Sequence, residues 1–114
     1  MAAINSQDVH TNLARAVQEF WEEYTGVRPA CVRVVAGDED IVVWLEGILS
    51  PAERQMASTQ AGRKTLKELE ERILEQARPQ LQRLVEGIVG QESTLAQVHL
   101  DAAGGSVLGF FRLG

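Results

Sequence analysis

Between Arg63 and Val89 the apolar residues hold one helical phase. Leu66, Leu69, Ile73, Ala77, Leu81, Leu84, Val85 and Ile88 fall on one face, and charged residues fill the other. This pattern specifies a long amphipathic helix with one stripe to be covered. Pro79 sits inside the pattern without shifting its phase. It removes one backbone hydrogen bond and crowds the carbonyl of Glu75, which predicts a kink rather than a stop. Gly90 ends the helix. Upstream, Ser50-Pro51-Ala52-Glu53 is a complete helix start: a serine cap, a proline at the first position and a glutamate that closes a capping box. Ser58 or Thr59 can recap a second segment, which divides a short helix from the long one.

The rest of the chain supplies a second helix and four strands. Ser6 to Gly26 carries Val9, Leu13, Val17, Phe20, Trp21 and Tyr24 at helical spacing, with Asn5 or Ser6 as the cap and Gly26 and Pro29 to end it. Ala30–Ala36 and Ile41–Leu49 read as strands joined by a turn at Gly37-Asp38-Glu39-Asp40. Thr94–Asp101 and Ser106–Leu113 form a second hairpin around Ala102-Ala103-Gly104-Gly105. The order is helix, hairpin, long helix, hairpin. It predicts an α+β fold (αββαββ), with a four-stranded, mainly antiparallel sheet and two helices on one face. The 114 residues leave room for one domain, 1–114.

Strand residues alternate between faces. One set, Val32, Val34, Ile41, Val43, Leu45, Ala96, Val98, Leu100, Val107 and Phe111, is apolar and predicts the side beneath the helices. The other is Cys31, Arg33, Val35, Val42, Trp44, Glu46, Leu95, Gln97, His99, Leu108, Phe110 and Arg112. A sheet face open to water is mostly polar, yet this one mixes charges with large apolar residues. An exposed apolar patch of this kind marks an interface. Val42, Trp44, Leu95, Leu108, Phe110 and Arg112 are the candidate contact residues, and a second copy of the chain is the simplest partner, making a homodimer.

Little in the chain points to catalysis. His99, Asp101 and His10 are too few and too scattered to predict a metal site, which needs three or four ligands. Cys31 and His99 lack the third, orienting group of a nucleophilic pair. Arg33, Glu46, His99 and Arg112, near Trp44, are the candidates for an anion or nucleotide pocket, because arginine forks suit carboxylates and phosphates. The blander reading of the charged residues is ion pairing across strands. No glycine loop matches a phosphate-binding fingerprint. The sequence therefore predicts no enzyme and no cofactor.

The net charge of -5, without a basic stripe, argues against nucleic acid and against direct membrane binding. No run approaches the ~20 apolar residues of a membrane-spanning helix. Met1 to Ser6 has neither a basic head nor an apolar stretch, and a lone cysteine suits a reducing compartment, so a cytoplasmic location is expected.

Four stretches resemble one known family. They are Phe20-Trp21-Glu22-Glu23-Tyr24-Thr25-Gly26-Val27-Arg28-Pro29, Ile41 through Arg54 with its Leu45-Glu46-Gly47 and Ser50-Pro51-Ala52-Glu53, Gly62-Arg63, and Gly90. Together they look like the MpsC-like domain family, over about Val9 to Leu113. Arg28 replaces the family's usual glycine before Pro29, and Arg54 replaces its usual lysine after the capping glutamate. The resemblance implies a soluble accessory or regulatory subunit of a membrane sodium- or ion-transport system. It implies a transporter subunit as partner and no catalytic residues.

Overall fold

The computed structural model describes residues 6–114, with side chains from Asp8 onward. Its elements are α1 (Ser6–Thr25), β1 (Cys31–Ala36), β2 (Asp40–Glu46), α2 (Pro51–Met56), α3 (Gln60–Val89), β3 (Ser93–Asp101) and β4 (Ser106–Leu113). The expected α+β order is present. Of the two candidate caps of α1, Asn5 lies outside the described residues. Ser50 and Glu53 form the reciprocal capping box, Thr59 caps α3 by accepting from the Gly62 N–H, and Gly90 closes it in a left-handed conformation. The helix runs through Pro79 without a stop.

All pairings are antiparallel, in the order β1-β2-β4-β3. The core lies between one face of this sheet and the two long helices. Leu13, Val17 and Trp21 of α1 and Leu66, Leu74, Ala77, Leu81 and Val85 of α3 meet Ile41, Val43, Leu45, Val107 and Phe111.

Three expectations need correction. The apolar run Ile41–Leu49 is a strand only to Glu46, because Gly47 takes a positive φ of 69° and lies against Ala30. A Cβ at Gly47 would sit 2.7 Å from that of Ala30, so only glycine fits here. Ile48 and Leu49 are then buried in the core, and the Ile48 N–H donates to the Gly105 carbonyl at 3.1 Å.

The second correction concerns β3. Its register with β4 shifts between Leu95 and Gln97, which leaves Ala96 as an extra residue. Such a bulge exchanges the faces of everything before it. Leu95, placed by simple alternation on the outer face, is 2% exposed in the core, and Ala96 is exposed instead. In α3 the buried stripe also runs one position later in its first half than the sequence suggests. Glu70 and Leu74 are buried, and Leu69 is exposed.

Side chains from the helices reach both edge strands. The Ala36 N–H of β1 donates to His10 Nε2 of α1 at 3.1 Å. On β3, the Ser93 N–H donates to Glu86 at 3.0 Å and the Leu95 N–H to Gln82 at 2.9 Å, while the Arg78 guanidinium donates to the Leu95 carbonyl. Edge groups tied up in this way offer less to an incoming strand.

Candidate functional site: the helix-free sheet face

Both long helices cover the same side of the sheet, so the other side carries whatever the alternation turns outward. The register sets these residues in rows. One row runs Arg33, Trp44, Leu108, His99, and the next runs Val35, Val42, Phe110, Gln97. Adjacent strands lie about 4.8 Å apart and same-face neighbours along a strand ~7 Å apart. Val35, Val42, Trp44, Leu108 and Phe110 are therefore contiguous. Val35 is 67% exposed and Trp44 40%, and the other three are half-buried. Five large apolar side chains that no described residue covers form a patch of the kind that marks a contact surface.

Polar groups rim this patch. Arg33 bonds Glu46 at 2.6 Å, diagonally across β1 and β2, and its guanidinium lies 5.1 Å from the centre of the Trp44 ring. The hydrogen bond that Arg33 donates to Glu46, and then the charge of Glu46, raise the Arg33 pKa. Arg112 shares the face but stands at its far end, opposite Asp40 and Thr94.

A profile of the MpsC family, described as a Na+-translocating membrane potential-generating system, matches residues 5–111. The chain belongs to the MpsC family. No curated protein and no solved structure gives a match. The family's description associates MpsC proteins with a Na+-translocating system that generates a membrane potential. Among the described residues of this MpsC chain, no helix is long and apolar enough to cross a membrane.

Of the six contact residues expected from sequence, the MpsC structure gathers Val42, Trp44, Leu108 and Phe110 into one patch. It sets Arg112 at the rim and removes Leu95 to the core. Val35 belongs to the patch and is not among the six, although its alternation with Val34 is the signal for it. The four ligand candidates do not converge. Arg33 and Glu46 are paired at β1 and β2, and His99 is on β3, three strands from Arg33, roughly 14 Å away. Arg112 is six residues along β4 from the partner of Glu46, roughly 20 Å. His10 is on α1 at the edge of β1, far from His99 and Asp101 on β3. A void lined by Val17, Trp21, Leu74, Leu95 and Phe111 measures about 30 Å³, and the surface cleft of about 710 Å³ lined by Arg63, Lys64, Lys67 and Asp101 includes none of the four ligand candidates.

Proposed function

We propose that this MpsC-family chain is a non-enzymatic interaction module. It pairs with a second copy through the helix-free sheet face and serves a membrane Na+-translocating system from the cytoplasm. The single observation that carries this reading is the contiguous exposed patch of Val35, Val42, Trp44, Leu108 and Phe110 on a face that no described helix covers. The family association supplies the link to the transport system. The free thiol of Cys31 fits a reducing compartment.

Area argues for a modest affinity. The seven residues of β2 span ~23 Å and four strands ~19 Å, a face of roughly 430 Å² in projection. Two such faces stacked sit near the ~1,000 Å² lower bound of a specific interface. Face-to-face packing suits this molecule better than strand addition, because helix side chains already engage backbone groups on both edges. Aligned sheets pack about 10 Å apart, with their outward side chains interdigitating.

Sedimentation velocity tests the pairing. The wild type is expected to shift from monomer to dimer as concentration rises from about 1 to about 100 µM, the range a small interface implies. Trp44→Glu with Phe110→Glu is expected to stay monomeric throughout while keeping its far-UV circular dichroism. A wild type that remains monomeric over the whole range removes the proposal.

A further inference from the structure

The cleft between the start of α3 and the β3–β4 turn gathers cations. It measures about 710 Å³. Gln60, Arg63, Lys64 and Lys67 line it from α3, and Leu100 and Asp101 from β3. The α3 residues are spaced three and four apart, so they share one face of the helix. Lys64 and Lys67 are the only lysines in the chain. A protein of net charge -5 thus places both of them, with an arginine, on one concave surface.

These cations lack the partners that would neutralise them. Glu68 and Glu71 stand four residues after Lys64 and Lys67, a spacing that permits ion pairs, yet neither pair forms among the described residues. Arg63 is half-buried, and its Nη1 donates to the Ala57 carbonyl at 2.9 Å, which fixes the guanidinium at the cleft wall. The first turn of α3 has no acidic residue. Asp101 is the one carboxylate lining the cleft, and its Oδ1 already accepts the Gly104 N–H at 3.0 Å. The lining therefore sets three positive charges against one negative. Like charges three and four apart on a helix destabilise it, and an anion seated among them offsets that repulsion.

We propose that this cleft binds a small phosphate-bearing anion with at least two negative charges. Lysine ammonium groups and the arginine fork both suit phosphoryl oxygens. The volume lies in the range of small-molecule sites, roughly 300–1,000 Å³. No aromatic side chain lines it, so a nucleobase has no stacking platform and the phosphate groups are what is read. The cleft shares no residue with the open sheet face, so it stands or falls independently of the pairing proposed above.

Pyrophosphate titrated into the full chain at about 50 mM salt, at constant ionic strength, tests the site by calorimetry and by ¹H–¹⁵N NMR. One saturable event is expected, with the amides of Lys64, Lys67 and Ala102 shifting together. Lys64→Gln with Lys67→Gln is expected to weaken it about tenfold or more. Arg72→Gln with Arg83→Gln removes the same charge from exposed positions outside the cleft, and is expected to weaken it less than about twofold. Without the anion the lysine variant is expected to melt no lower than wild type, because it relieves repulsion. Shifts that never saturate overturn the proposal, as do equal losses in the two double variants. Flotation with vesicles of phosphatidylcholine and phosphatidic acid separates the sources. Co-flotation that the lysine variant loses supports a lipid headgroup in this cleft, and pyrophosphate binding without flotation supports a soluble phosphate compound.

Discussion

Glu70 is a buried carboxyl whose ionisation costs this fold stability. Its folded-state pKa is about 7, above the ordinary 4.5. Below pH 4.5 the folded and unfolded chains both hold the proton, and the residue carries no penalty. From there to about pH 7 the unfolded chain releases the proton while the folded chain keeps it. Stability then falls by up to ~1.4 kcal/mol per pH unit and levels off above, for a loss on the order of 3 kcal/mol. Glu70→Gln removes this loss. In urea titrations its advantage over wild type is expected to grow by about 2–3 kcal/mol between pH 4.5 and pH 8. An unchanged difference would show that Glu70 ionises as if in water. The sequence did not disclose this residue. Leu69 and Ile73 lie one helical step from Glu70 and Leu74, and hydropathy alone prefers the first pair. The layers packed on α3 decide otherwise, and they cannot be seen from the helix in isolation.

At the scale of elements, the junction of α2 and α3 depends on Gly62. A Cβ there would lie 1.8 Å from the Met56 carbonyl oxygen, a backbone atom held within its own helix. Gly62→Ala must force the two helices apart, and a loss of about 2–4 kcal/mol is expected in thermal or chemical unfolding. Gly87, further along α3, has open space beside it, and a Cβ there would meet nothing within 4 Å. Gly87→Ala is therefore expected to stabilise by about 0.5–1 kcal/mol. Losses of similar size at both sites would remove the steric explanation. Helix boundaries were legible because capping residues are chemically distinctive. Strand details were less so. Gly47 ends β2 through its contact with Ala30, and the bulge at Ala96 is one extra residue that a count of alternate positions passes over. Leu95 was misassigned for that reason, while Trp44, Leu108 and Phe110, on strands of regular pairing, were assigned to the correct face.

For the molecule as a whole, the layer arrangement was legible because each strand carries one set apolar enough to need a cover. The partner of the second set was not, since apolar area alone names no occupant. Net charge bears on the proposed pairing. Two copies at -5 each, with centres about 25 Å apart, repel by on the order of 2 kcal/mol at about 10 mM salt and a few tenths at about 150 mM. The dimer is therefore expected to tighten roughly tenfold between these salt concentrations, measured by sedimentation equilibrium. Weakening with salt would instead mean that ion pairs, rather than the apolar patch, hold the copies together. The helix side chains that engage the borders of the sheet also bear on stoichiometry. In the proposed pairing the described residues leave one adhesive side per molecule, and a body with one adhesive side is used up by a single encounter. Crowding would saturate such pairs without stringing them into fibres.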